Sequence, residues 1–126
     1  MKKLILILFL LTPSMTYAVD LDQLIEYCSV AGTPNPTKNL TQRQLGFLMY
    51  CYGLIDGVRI LSVTEKQTPE IAKVCFPSNG EDNADFAQTM VKTLKEFKKR
   101  APQISKIPDG GATFGTNALA HAYPCK

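Results

Sequence analysis

The chain has 126 residues, of which 45% are hydrophobic and 20% are charged, and its formal net charge at pH 7 is +3. This length and composition are those of one folded domain and not of a disordered chain. The small net charge argues against the proteins that bind nucleic acids through a strongly basic face, so no nucleic-acid partner is expected.

Residues 1–18 have the three regions of a secretory signal peptide: a charged start with two lysines, an apolar run at 4–11, and a small residue, Ala18, before the cut. The run is too short to be a membrane anchor, which needs roughly 20 apolar residues. We expect cleavage to leave one domain, 19–126, and no later segment to cross a bilayer.

The first predicted helix runs from Asp20 to Ala31, and Gly32 ends it. Its apolar residues recur at i, i+3, i+4 and i+7, which places them on one helical face. They are Leu21, Leu24, Ile25 and Cys28.

The second predicted helix begins at Thr41, with Gln44 as its capping-box partner, and continues to about Lys66. It is the longest element of the chain. We predict that its buried side is formed by Phe47, Cys51, Leu54, Val58 and Leu61.

Three glycines, Gly46, Gly53 and Gly57, lie along one stripe of this second helix. Each glycine costs a helix interior about 1 kcal/mol relative to alanine, so the stripe implies a compensating close contact. Two interpretations are open. The stripe packs against the first or fourth helix of the same chain, or it joins two copies in a homodimer.

A third helix is predicted from about Asp82 to Arg100, because acidic residues suit its start and cationic residues its end. Its predicted buried residues are Phe86, Met90, Leu94 and Phe97. A connecting segment at 101–111 precedes a short fourth helix from about Thr113 to Tyr123. The sequence therefore predicts an all-α fold, a small four-helix bundle.

Four cysteines in an exported chain indicate two disulfides. A metal site is the alternative, but the cysteines lack the C-x-x-C or histidine spacing of zinc sites. In an up-down-up-down bundle, Cys75 and Cys125 lie at the same end, and Cys28 and Cys51 face each other across the first two helices. We predict the bonds Cys28–Cys51 and Cys75–Cys125.

The residues needed for catalysis are scarce. His121 is the only histidine, and a Cys–His hydrolase would require a free cysteine. The sequence has no H-E-x-x-H motif, no calcium-binding loop and no phosphate-binding glycine loop after a strand. We therefore predict a protein that binds and is not an enzyme, with no catalytic residues, no metal and no cofactor.

The motifs "YCYGLIDGV", "VCFPSN" and "ALAHAYPCK", in this order around a lysine-rich third helix, resemble the Tai/Rap family of immunity proteins from bacterial type VI secretion systems. The likeness covers the whole mature chain. It implies a small, helical, periplasmic protein, often dimeric, that neutralises a secreted peptidoglycan amidase. The motif positions are Cys51, Gly53, Gly57, Cys75, Pro77, Pro124 and Cys125.

The resemblance also implies that a loop between the last two helices enters the cleft of the amidase, which here is the segment 101–111. Within it, Ile104 and Ile107 are expected to fill an apolar pocket of the target, and replacing both by aspartate is expected to leave the fold intact. The alternative is an ordinary connecting segment with one isoleucine packed against the bundle. The expected effector-binding residues are Pro102, Gln103, Ile104, Ser105, Lys106, Ile107, Pro108 and Asp109.

Cationic side chains of the third helix are expected to flank that loop and to speed the encounter with an acidic partner. They are Lys95, Lys98, Lys99 and Arg100. The alternative function is that of a small periplasmic chaperone or envelope-stress protein that binds unfolded clients through exposed apolar faces.

Overall fold

The structure, a computed structural model, describes residues 19–32, 39–64 and 74–125. These residues form four α-helices: α1 (Leu21–Ser29), α2 (Gln42–Thr64), α3 (Asn83–Arg100) and α4 (Gly111–Ala122). Short 3-10 helices, Val30–Gly32 and Pro102–Lys106, follow α1 and α3. The predicted all-α, disulfide-linked bundle is confirmed. The predicted signal peptide at 1–18 and the predicted end of the second helix at Lys66 lie outside the described residues.

Reciprocal side-chain caps fix where three of the helices begin. The predicted capping box of α2 is present: the Gln44 amide donates to Thr41 Oγ1 at 3.2 Å, and the Thr41 amide donates to Gln44 Oε1 at 3.0 Å. Asp20 caps α1 and Asp82 caps α3 in the same way. Each cap satisfies amide groups that have no partner inside the helix.

The core lies where α1, α3 and α4 meet. Helices α1 and α3 each bury the face that their apolar spacing predicts and leave polar residues in solvent. The fully buried side chains include Leu21, Leu24, Phe86, Met90, Leu94 and Leu119. Phe97, the last residue of the predicted α3 face, is half-buried and packs against this core.

Helix α2 departs from the prediction in the face that it buries. The residues turned to the core are Leu48, Cys51, Ile55 and Val58. Leu61, predicted to be inside, is exposed, whereas Phe47 and Leu54 are half-buried. Apolar residues surround this helix, so their spacing does not specify one buried side.

The segment Gln42–Ser62 of α2 is also apolar and long enough to cross a membrane by length and composition, with a mean hydropathy of 1.3. This corrects the expectation that no segment after residue 18 meets that test. A buried helix of a globular protein meets the same test, yet only 22% of this segment is buried. Within the described residues, the outward side of α2 exposes four large apolar side chains, which are those of Leu45, Met49, Ile60 and Leu61.

Both predicted disulfides are present. Cys28–Cys51 is fully buried and joins α1 to α2, with Cα atoms 5.2 Å apart. Cys75–Cys125 joins the segment before α3 to the residues after α4, with Cα atoms 5.0 Å apart. Beside it, Val74 and Pro124 form an isolated antiparallel bridge. Disulfides of this kind indicate an oxidising, exported environment.

Candidate protein-binding site

The segment between α3 and α4 is an ordered, tightly bonded turn. The Ile104 amide donates to the Ala101 carbonyl at 3.1 Å, and the Ile107 amide donates to the Ile104 carbonyl at 3.2 Å. Asp109 then adopts a left-handed conformation with φ 61°. At the start of α4, the Gly111 amide donates to the Val19 carbonyl at 2.7 Å. The segment is therefore fixed at both ends before any partner arrives.

The two isoleucines of this segment differ in orientation. Ile107 is 46% exposed, next to the exposed Pro108 and Asp109. Ile104 is half-buried and packs against the core. This corrects the expectation that both isoleucines can enter a target and that both can be replaced without harm to the fold, because aspartate at 104 would place a charge against apolar side chains.

Asp22 of α1 anchors the middle of the segment. Its Oδ1 atom accepts a hydrogen bond from Ser105 at 3.2 Å and from the Lys98 ammonium at 2.7 Å. Ser105 therefore faces the bundle. The outward surface of the predicted loop consists of Pro102, Gln103, Lys106, Ile107, Pro108 and Asp109.

The cationic residues of α3 have different surroundings. Lys95 borders a groove beside Gly32 and Gln88. Arg100 borders a different cavity, next to the 3-10 helix Pro102–Lys106. Lys98 is engaged by Asp22, and its charge is partly neutralised there. Of the four predicted flanking residues, Arg100 lines a cavity beside the loop.

The glycine stripe of α2 has no close neighbour within the described chain. A Cβ atom added at Gly46, Gly53 or Gly57 would meet nothing within 4 Å. This contradicts the interpretation in which the stripe packs against the first or fourth helix of the same chain. The glycines that allow close packing are in α4: Gly111 lies against the Val19 backbone, and Gly115 faces Leu24 and Leu54.

An aromatic cluster that the sequence prediction missed closes the end of the bundle near Cys75–Cys125. Phe76, Phe86 and Tyr123 pack with ring centroids 4.7 to 5.7 Å apart. Arg59 of α2 lies over the Phe76 and Phe86 rings at 5.5 and 5.2 Å. The aromatic residues beside the cysteines in "VCFPSN" and "AYPCK" were the available signal.

Hydrogen bonds hold this cluster in place. Tyr123 donates to Glu81 at 3.0 Å, and Arg59 donates to Asn83 at 2.9 Å. Burial, together with the nearby Glu81, raises the pKa of Tyr123 above its ordinary value. Asn83 in turn donates to Asp56 at 3.0 Å. Arg59 and its neighbours are therefore bonded to each other, and these bonds stabilise the fold at this end of the bundle.

The described residues contain no group of three His, Cys, Asp or Glu side chains placed to hold a metal ion. All four cysteines are in disulfides. His121 is exposed near the end of α4, with its ring edge-on to Phe97 at 5.6 Å. Comparison with protein families, with curated proteins and with solved structures found no match.

Proposed function

We propose that the protein is a periplasmic immunity protein that binds a type VI secreted peptidoglycan amidase and blocks its active-site cleft. The proposal rests on the resemblance of the cysteine, glycine and proline motifs to the Tai/Rap family. In this proposal the protein is a stoichiometric inhibitor. No covalent bond is made or broken, and the bound segment excludes substrate from the cleft.

The observation that carries the proposal is the exposed Ile107 in a turn that is already ordered. Its neighbours Pro108 and Asp109 are also exposed, so the turn offers an apolar tip between polar groups. A segment that is ordered before binding loses less conformational entropy when it binds, which favours affinity. A few residues that fill well-packed pockets of the partner supply most of the binding energy of a typical protein interface.

Replacement of Ile107 by aspartate tests the role of this turn. The variant keeps Ile104 in place, and we expect it to bind the amidase about 30-fold more weakly or worse, the loss typical of an interface anchor. Gln88→Asp is the control, because Gln88 is exposed on α3 and the change adds the same charge outside both the turn and the outward side of α2. Inhibition by Ile107→Asp at the wild-type concentration would contradict the model in which the turn blocks the cleft.

We further propose that the protein is a homodimer joined through the outward side of α2. Gly53 and Gly57 are four residues apart, and the space next to them is open. Leu45 and Met49 flank them and are exposed. Small residues at this spacing let two helices approach closely. Sedimentation analysis of Gly53→Leu, which fills the stripe, should give a monomer at concentrations where the wild type is a dimer.

The exposed apolar side of α2 also favours the second candidate function, a small periplasmic chaperone. The two candidates differ in partner choice. An immunity protein protects against one amidase in a fixed ratio, whereas a chaperone suppresses the aggregation of unrelated unfolded proteins. Aggregation assays with two unrelated reduced substrates would distinguish them.

A further inference from the structure

A small apolar cavity lies beside the turn, between the end of α3, the 3-10 helix Pro102–Lys106 and α4. Its volume is about 280 Å³. We name it the α3–α4 pocket, and its lining residues are Phe97, Arg100, Ala101, Ile104, Phe114 and Asn117.

The floor of the pocket is hydrocarbon. Phe97, Ile104 and Phe114 are half-buried and pack against the core, so their remaining exposed surface faces this opening. A dry apolar cavity of about 150 Å³ is enough to bind benzene, whereas sites for whole small-molecule ligands span roughly 300–1,000 Å³. The pocket is therefore large enough for one aromatic side chain and is smaller than most sites for whole small-molecule ligands.

The rim of the pocket is polar and positively charged. Arg100 and Asn117 stand at its edge and are exposed. Within residues 19–32, 39–64 and 74–125, Arg100 forms no ion pair, whereas nearby Lys98 is bound by Asp22. A guanidinium with unused donors beside an apolar floor favours a carboxylate that arrives together with an aromatic group.

The pocket is formed before a partner binds. The Ala101 amide donates to the Phe97 carbonyl at 2.9 Å, which fixes the end of α3. Ser105 is held by Asp22, and Gly110 lies so close to Phe114 that an added Cβ would be 2.7 Å from its ring. These contacts hold three walls in place, and a rigid pocket loses little entropy when it is filled.

We propose that the α3–α4 pocket receives an aromatic side chain of the protein partner, and that an aspartate or glutamate next to that side chain pairs with Arg100. The inference rests on the proposed function in taking the partner to be a protein that meets the 101–111 turn. Ile107 then enters the partner, and the partner's aromatic residue enters this chain.

Short peptides test the pocket without any amidase. The probes are N-acetyl-Asp-Phe-amide, N-acetyl-Lys-Phe-amide and N-acetyl-Asp-Ala-amide, titrated into the ¹⁵N-labelled protein and followed by NMR. We expect saturable shifts at Phe97, Ile104, Phe114 and Asn117 with the two Phe peptides only. The Asp-Phe peptide should bind about threefold more tightly than Lys-Phe, the gain of one exposed ion pair.

Matched variants separate the floor from the rim. Ala101→Leu fills the pocket and should abolish the shifts, whereas Ala112→Leu, the same change on the exposed side of α4, should preserve them. Asn117→Leu covers the rim and replaces Ala101→Leu as the test if that variant does not fold. Arg100→Gln should remove the preference for Asp-Phe, and Lys99→Gln, an equal loss of charge outside the pocket, should retain it.

Saturable shifts that survive both pocket-filling variants, or that map to another surface, would overturn the proposal. So would full amidase inhibition by a folded Ala101→Leu protein, and that result would leave the proposed function intact. If the wild type fails to inhibit an amidase but the peptide shifts depend on Ala101 and Arg100 as described, the proposed function fails and the pocket stands as a protein-binding site.

Discussion

Helices α3 and α2 are both long, but among the described residues α3 buries most of its large apolar side chains, whereas α2 leaves several of them exposed. Helix α3 buries Phe86, Met90 and Leu94 and turns its lysines to solvent. Helix α2 buries a narrow face and exposes Met49 and an open glycine stripe on the other. Helix α3 has few large apolar side chains beyond those that it buries, whereas α2 has additional ones that remain exposed.

The difference is the observation on which the proposed homodimer rests. Exposed apolar surface and helix-interior glycines both lower the stability of an isolated chain, so a gain elsewhere must offset them. In α3 no such gain is needed. In α2 a second copy of the chain supplies it in our proposal, and the predictions below test that contrast.

Removal of the disulfide Cys28–Cys51 should have the largest effect, because it fastens α2 to the rest of the bundle. Replacing both cysteines by alanine should lower the free energy of unfolding by about 3–5 kcal/mol, through lost loop constraint and lost burial. Hydrogen exchange should show α2 losing protection before α3. The control variant replaces Cys75 and Cys125 by alanine. In that variant the amides of α2 should not lose their protection from exchange before those of α3. Equal losses in both helices in the first variant would contradict the contrast.

A pair of methionines provides the second test. Met90 of α3 is 0% exposed and Met49 of α2 is 65% exposed. Met90→Ala should lower the free energy of unfolding by about 2–5 kcal/mol, because it leaves a cavity. Met49→Ala should change it by less than about 0.5 kcal/mol at concentrations where the protein is monomeric. Urea unfolding measures both, and a large loss from Met49→Ala in the monomer would show that the outward side of α2 is needed for folding.

Two glycine-to-alanine substitutions should change the free energy of unfolding by smaller amounts and in opposite directions. Gly53→Ala should raise the free energy of unfolding of the monomer by up to about 1 kcal/mol, because nothing lies within 4 Å of the added carbon. Gly115→Ala should lower it by about 1–3 kcal/mol, because the carbon would lie 2.9 Å from Leu24 and 3.0 Å from Leu54. If Gly53→Ala destabilises the monomer, the stripe has a contact inside the chain after all.

The smallest expected effect is alkaline. Burial raises the pKa of Tyr50 and Tyr52 in α2 and of Tyr123 after α4 above the ordinary value of 10.0. Their phenolates are disfavoured in the folded state. The contribution of the neutral tyrosines to the free energy of unfolding is therefore fully present below pH 10 and is lost as the pH rises through their raised pKa values. Ultraviolet titration of the Tyr123→Phe variant should still show two tyrosines, Tyr50 and Tyr52, that ionise above pH 10. Ordinary titration of all tyrosines in the wild type would contradict this.

The sequence predicted α3 well because its signals agree. Asp82 caps the start, cations occupy the end, and the apolar spacing specifies one face; the observed helix begins one residue later and ends where expected. The disulfide pairing followed from the order of the helices. For α2 the apolar residues lie all around the helix, so the spacing did not identify the buried side.

The direction of Ile104 and Ile107 was not predictable from their spacing. Residues three apart in a 3-10 helix lie on the same side. The chain leaves the helical conformation at Ile107, which has φ −81° and ψ 111°, and its side chain is exposed while Ile104 packs inward. The cavity beside them depends on how three separate elements meet, and no local pattern encodes that.

The most direct test of the central claim is a titration of peptidoglycan hydrolysis by any type VI amidase whose gene adjoins the gene of this chain. The claim is that a cross-linked helical scaffold acts only by presenting its surface to that enzyme. We predict that hydrolysis falls in proportion to the protein added and stops at a fixed molar ratio. Undiminished hydrolysis in the presence of a large excess of folded, oxidised protein would contradict the account.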